Sequence, residues 1–376
     1  MGLVVCTMQF ALGELSALFP VTGSYVRHTE MLIDPALGFA IGWNVVYGNF
    51  VSVPAELAAA QVLIEYWTDW HPAVFITILI LLTIITNIVF VGIYGEVEFA
   101  FAILKIMLIV GVILMGLVID LGGVKGQERI GFRYWDTPGP FVVFMGSGSW
   151  GNFLGFWTVM TNAAYSFSGV ESLSVAAAET QNPRQNIPKA CKKVFARIFL
   201  FYFLAVLIVG MIVPSNDANL TSSTDNATES PFVIAAQRAG IKAIPSIFNA
   251  CVLTSAWSSS NQAVLTGSRI LYGLALKRQA PKIFLKISRW GIPWVCVMFQ
   301  SAFMCLAYMS VSSGAINVFY WFQDLTASGT LVSWGVIAAC HLRLYAALKR
   351  QGVEVGELPW HNWWTREFYF SSLPGK

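Results

Sequence analysis

Glu14, Glu56, Lys105, Glu171 and Asp324 stand inside runs that are otherwise apolar. A charged side chain at membrane depth costs roughly 2.5–3.5 kcal/mol on insertion scales, so it is held there by a partner or by a task. Glu171 is the most informative of them because of what precedes it. Ser166, Phe167, Ser168 and Gly169 favour a broken helix: glycine loses the most backbone entropy in a helix, and serine hydroxyls compete for backbone hydrogen bonds. A polar break in a spanning helix survives only where protein or water covers the freed backbone groups, and transporters commonly build binding sites from such breaks. The plainer alternative is a kink with Glu171 bonded to a neighbouring helix. Lys105 lies among Ile, Leu, Met and Val, where its charged form is poorly solvated. It is a candidate proton carrier or fixed cation; snorkelling to the interface is a weak rival for a mid-span position. Glu56, just after Pro54, either holds a cation, relays a proton or forms half of an ion pair. Glu14 and Asp324 are candidates for proton coupling, or else structural hydrogen-bond partners. Ser258, Ser259 and Ser260 either line a path or pack helices together.

The elements that must position these residues are membrane spans. Of the 376 residues 56% are hydrophobic and 11% charged, against about 25% charged in an ordinary soluble domain. Mean hydropathy is +0.64, more apolar surface than a single water-soluble core can hide. The net charge of +3 gives no reason to expect nucleic acid. The six cysteines contain no CxxC pair and read as small packing residues in apolar runs. The four histidines are isolated, so neither a metal nor a cofactor is expected. No nucleophile–base pair argues for an enzyme. The Gly146-Ser-Gly-Ser-Trp-Gly run lacks the Gly-Lys-Ser/Thr of a phosphate loop and reads as a flexible loop.

In chain order, residues 1–19 read as the later part of a span, and 20–35 as a polar connector. A long helix over 36–66 is expected to be interrupted near Pro54; Gly38/Gly42 and Ala55/Ala59 supply small-xxx-small pairs for close helix contact. Further spans are expected at 72–95, 97–119, 154–178, 198–213, 243–268, 293–311 and 316–341, with a Gly-rich loop over 120–150. Alternation puts the two most basic connectors, 179–197 and 269–289, on one side, which the positive-inside rule makes cytoplasmic. The sequons at Asn219 and Asn226 then fall on the opposite side, where glycosylation occurs. The result is one transmembrane domain over 1–350 with about nine spans, the first partial, and a cytoplasmic tail over 351–376. The odd number and the short leading span imply a fragment.

Three stretches resemble the yeast and fungal amino acid permeases of the amino acid–polyamine–organocation superfamily. They are Gly13-Glu14 through Phe19-Pro20-Val-Thr-Gly-Ser-Tyr to Asp34-Pro-Ala-Leu-Gly-Phe-Ala and Gly42-Trp-Asn; Ala176-Ala-Ala-Glu-Thr-Gln-Asn-Pro-Arg with Ile187-Pro-Lys-Ala; and Leu253-Thr-Ser-Ala-Trp-Ser-Ser-Ser-Asn with Ser268-Arg-Ile-Leu-Tyr-Gly-Leu-Ala and Gln279-Ala-Pro-Lys. The resemblance implies an all-α polytopic fold with a five-plus-five inverted repeat. On that alignment the chain starts in the second span and stops after the tenth. It lacks the first span, whose glycine-rich break normally holds the substrate carboxylate, and the last two. The resemblance further implies an amino acid substrate whose ammonium group is accepted by backbone carbonyls at the break, with Phe167 as a lid. Glu56 faces the same region, and protons drive uptake across the plasma membrane. The partners are the amino acid, protons and the lipid bilayer. A nutrient sensor on the same fold and an inactive truncated permease are the alternatives.

Overall fold

The computed structural model describes the chain apart from residues 22, 69, 90, 125–127, 180–181, 221–229, 242, 290, 354–357, 359 and 361–376, and apart from the side chains of 91–94, 175–179 and 313. Among the described residues there is no strand. The chain opens with α1 (Gly2–Leu18), followed by α2 (Ser24–Leu32), α3 (Pro35–Ile64), α4 (Pro72–Val89) and α5 (Val91–Asp120). After a one-turn α6 (Arg133–Asp136) come α7 (Gly148–Ser166), a 3-10 segment (Val170–Glu179), α8 (Pro183–Ile212), a short α9 (Pro231–Arg238) and α10 (Ala243–Leu276). The chain then passes through a 3-10 turn (Lys282–Leu285), α11 (Trp294–Met304), a second 3-10 turn (Cys305–Met309), α12 (Ser310–Ser313) and α13 (Ala315–Gln351).

Six helices are long and apolar enough to cross a membrane: α3, α4, α5, α8, the stretch from α11 to Ser312, and α13. α1 is apolar but short. α7 ends at the break, and α10 carries the serines, threonines and amides that face the interior. Six of the nine expected spans thus have a helix of spanning length and hydropathy, while α1, α7 and α10 are helices at the other three places.

Several boundaries differ from expectation for definable reasons. α3 is not interrupted: Pro54 sits inside it. A proline removes one backbone bond and costs ~3 kcal/mol in an isolated helix, but Pro54 is buried and its neighbours Val53 and Ala55 pack on α10 and α13. The polar connector is not a plain loop, because Ser24–Leu32 is helical, entered through Gly23 in the left-handed region at φ 94°. The basic 179–197 connector becomes helix from Pro183, since proline in the first turn lacks only an amide that has no helical partner there. The 269–289 connector is likewise helical as far as Leu276.

α3 is the central post, packed along both α10 and α13. Val53 and Leu57 meet Ala263 and Val264 on one side; Val51, Ala55 and Ala58 meet Val318 and Phe322 on the other. Small residues allow this proximity. A Cβ on Gly267 would lie 2.9 Å from the Asn49 Cβ, and one on Gly42 would lie 2.7 Å from Leu274 Cδ2. α1 packs on α8, α5 on α8 and α10, and α7 on α13. α2 and the turn after α10 meet at one end of the bundle, where Lys277 Nζ donates to both Glu30 oxygens at 3.0 Å. At the other end Trp135 Nε1 donates to the Gly210 carbonyl at 3.0 Å.

Candidate functional site

The break sits where expected and is built as the residue types require. α7 stops at Ser166, Phe167 caps it, and Gly169 takes φ +88°. An L side chain rarely adopts that conformation. The chain then tightens into the 3-10 segment that carries Glu171. The freed carbonyls are covered: Tyr202 Oη donates to the Ser166 carbonyl at 2.7 Å, and Ser172 donates to the Gly169 carbonyl through its backbone N at 3.0 Å and its hydroxyl at 2.6 Å. The Ser166 carbonyl oxygen keeps a second lone pair for another donor, while the Gly169 oxygen already accepts two.

Beside the break lies a cavity of about 490 Å³. Four layers enclose it: α3 (Asn44, Asn49, Glu56), α5 (Glu98, Lys105), the break (Tyr165, Ser166, Ser168, Gly169, Glu171) and the facing parts of α10 and α13 (Ser259, Thr330, Ser333). Hydroxyls, amides and charged groups share its wall with apolar surface from Val45, Ala263 and Ile270. Three carboxylates, those of Glu56, Glu98 and Glu171, face one ammonium group, that of Lys105, among the described lining residues.

Each charged group is held in place. Glu56 Oε1 accepts from Tyr165 Oη at 3.2 Å and from Ser259 Oγ at 2.9 Å. Glu171 Oε2 accepts from Trp334 Nε1 at 3.2 Å. Lys105 Nζ donates to Glu98 Oε1 at 3.2 Å and to Ser258 Oγ at 2.8 Å, while Ser258 Oγ donates to Glu98 Oε2 at 2.5 Å. Glu98, Lys105 and Ser258 thus form a closed triangle between α5 and α10.

The residues singled out from sequence separate accordingly. Ser166, Ser168, Gly169, Glu171, Glu56 and Lys105 all line the cavity. Ser258 stands one layer behind, buried in the triangle; Ser259 is the serine of that run that faces in, and Ser260 is buried elsewhere. Phe167 lies off the cavity, packed on Tyr202 with ring centroids 4.8 Å apart. Glu14 is also off the cavity, fully buried, with its Oε2 2.6 Å from His341 Nε2 and 2.9 Å from the donating Tyr345 Oη. Asp324 is exposed on α13 and is not among the lining residues. Asn219 is exposed; Asn226 lies outside the described residues.

Sequence reasoning missed Glu98, Tyr165, Trp334 and His341. A signal for Glu98 existed: it precedes Lys105 by seven residues, two helical turns, so the two share one face. The others are partners across helices and leave no local mark.

The sequence model of the amino acid permease family matches residues 1–370. The chain is 38% identical over 361 residues to a dicarboxylic amino acid permease of Saccharomyces cerevisiae, covering 94% of this chain and 59% of the relative. It is 39% identical over 360 residues to a proline-specific permease of Emericella nidulans, covering 94% and 66%. It is 36% identical over 362 residues to a lysine-specific permease of Saccharomyces cerevisiae, covering 96% and 59%. The chain therefore spans about three fifths to two thirds of the length of these relatives. With six apolar helices of spanning length and this match along almost its whole length, the chain is a multi-pass membrane protein and belongs to the amino acid permease family.

Proposed function

We propose that the chain forms the core of an amino acid transporter, working by alternating access in the plasma membrane, with uptake driven by protons. One observation carries the proposal: the cavity beside the helix break holds three carboxylates against one ammonium group. Carboxylates at membrane depth are costly unless neutralised. A cargo ammonium supplies one positive charge and a proton another, which together balance the cavity when the cargo's own carboxylate is held outside it, at the place the family resemblance gives to the first span. Loading with both is then favoured over loading with either alone, which is the thermodynamic content of symport.

In this reading the break, from Ser166 to Gly169, and Glu171 take the cargo's ammonium group, because unwound carbonyls and a carboxylate both favour a cation. Glu56, Lys105 and Glu98 hold and pass the proton. Glu14, bonded to His341, is a second proton-holding position behind the cavity, and Asp324 takes no part. Phe167 leaves Tyr202 and covers the cargo on closure. The names of the relatives span dicarboxylic, proline and lysine cargoes, so amino acids as a class are proposed and not a single one.

The test is uptake of a labelled amino acid mixture by permease-deficient yeast at acidic and neutral pH. One strain carries this chain; a second carries it joined to the segments of the proline-specific relative that lie outside the match. Uptake by the second strain, faster at acidic pH, is expected. Uptake indifferent to pH would contradict proton coupling. Surface expression without uptake, but with an amino acid-dependent signal, would favour a sensor.

A further inference from the structure

The turn that joins α10 to α11 carries a second pattern unrelated to the cavity. Lys282-Ile283-Phe284-Leu285-Lys286-Ile287-Ser288-Arg289 places basic residues at 282, 286 and 289 and isoleucines at 283 and 287. The structure fixes this strip rather than leaving it to sway. Phe284 is buried and packs on Phe299 with centroids 5.2 Å apart. Cys296 Sγ donates to the Phe284 carbonyl at 3.3 Å, and Ser288 N donates to the Ile292 carbonyl at 2.7 Å.

With Phe284 turned inward, its neighbours turn outward. Ile283 and Ile287 are 53% and 54% exposed, and Arg278, Lys282, Lys286 and Arg289 are exposed beside them. Among the described residues none of these four cations has an ion-pair partner; the nearby Lys277 is different, being held by Glu30. No acidic residue occurs between Leu271 and Met298. The strip leads directly into the stretch from α11 to Ser312, which is long and apolar enough to cross a membrane, so it lies next to the end of a span.

We infer that this strip is a docking surface for anionic phospholipid headgroups. The isoleucines enter the headgroup–acyl boundary, and Arg278, Lys282, Lys286 and Arg289 bind the phosphate and carboxylate groups there. The chemistry fits: interfacial segments pair exposed apolar residues with Lys and Arg, and each basic residue near an anionic leaflet contributes roughly fivefold in affinity. An aqueous loop has no use for two exposed isoleucines. A purely apolar lipid contact has no use for four cations. The position of the strip, at the foot of the α10 wall of the cavity, ties lipid occupancy to the helix that presents Ser259.

The test uses the purified protein in detergent, titrated with mixed micelles containing fluorescent phosphatidylserine or fluorescent phosphatidylcholine, with energy transfer from the protein's tryptophans as readout. Phosphatidylserine is expected to bind at least tenfold more tightly at low salt, with the preference shrinking as salt rises. The combined variant Arg278→Gln, Lys282→Gln, Lys286→Gln, Arg289→Gln is expected to lose that preference, and Ile283→Ser with Ile287→Ser to weaken both lipids. All these side chains are exposed; should the combined variant fail to purify, Lys282→Gln and Lys286→Gln are read singly, each lowering the preference severalfold. Equal binding of the two lipids by the unaltered protein, or a preference that survives removal of the cations, would overturn the inference.

Discussion

At the scale of single residues the central question is what a carboxylate gains by sitting in the cavity. Glu171 and Glu98 answer differently. Glu171 accepts from Trp334 Nε1 and belongs to the 3-10 segment beside the break, which is why the proposed reading gives it the incoming ammonium group. Glu98 is already engaged by Lys105 and Ser258, so it sets where Lys105 points. Hydrogen bonds to charged groups contribute ~1.5–3 kcal/mol, so losing one carboxylate charge translates to roughly tenfold to hundredfold in transport. In the chain joined to the flanking segments of the proline-specific relative, Glu171→Gln is expected to cut uptake severely at unchanged surface level. Glu98→Gln is expected to do the same, and Ser258→Ala to do less. Uptake and surface biotinylation, measured on the same cells, check this; normal uptake by Glu171→Gln would remove that residue from the mechanism. Glu171 was legible in the sequence because an acid, a glycine and serines inside an apolar run form a local signal. Glu98 was not, because it sits near the start of its helix, where an acid ordinarily faces water. Only the two-turn spacing to Lys105 betrays it. Asp324 differs from these in position: a helix as long as α13 has an exposed side, and the acid is on it, off the cavity.

At the scale of elements the contact between α2 and the end of α10 is the clearest device outside the spans. Arg27 Nη1 donates to Glu30 Oε2 at 2.5 Å, Lys277 Nζ donates to both Glu30 oxygens, and Gln279 Nε2 donates to Oε1 at 3.4 Å. Burial alone would raise the Glu30 carboxyl, but the bonds from Arg27 and Lys277 outweigh it and hold the group below the ordinary glutamate range. A carboxyl held lower in the folded state than in the unfolded chain contributes stability above the unfolded value, about pH 4.3, and loses it as pH falls further. Thermal unfolding in detergent between about pH 6 and pH 3 is therefore expected to show an acid-side loss that shrinks in Glu30→Gln. An identical acid loss in that variant would show that the cluster contributes nothing. None of this was readable from sequence, since α2 was expected to be an irregular connector and its partners lie on α10. The same holds for the first turns of α8. Prolines and basic residues look like loop chemistry until helix geometry shows that Pro183 stands where no helical amide bond is needed. Pro54 is the converse case, a residue that breaks isolated helices but lies inside α3 between two packed neighbours.

At the scale of the whole molecule the arrangement is a post, a wall and a break. α3 is the post. α10 and α13 flank it, and the broken stretch from α7 into the 3-10 segment faces it across the cavity. The existence and order of the six helices of spanning length followed from hydropathy alone, because a spanning helix must satisfy its own backbone bonds and be long enough to cross. The cavity did not follow, because it depends on how each helix is rotated about its axis, which tertiary packing decides. The distinction is plain at Ser258–Ser260: one serine braces Lys105, the next faces the cavity, and the third is buried away from it. The charge balance of the cavity is also a property of the assembled molecule. It predicts that cargo and protons move together. The most direct measurement is proton influx in proteoliposomes containing the chain joined to the flanking segments of the proline-specific relative and a pH-sensitive dye, challenged with an amino acid mixture. The account predicts lumenal acidification on addition of amino acid that is lost in Glu171→Gln; accumulation of amino acid with no acidification would contradict it.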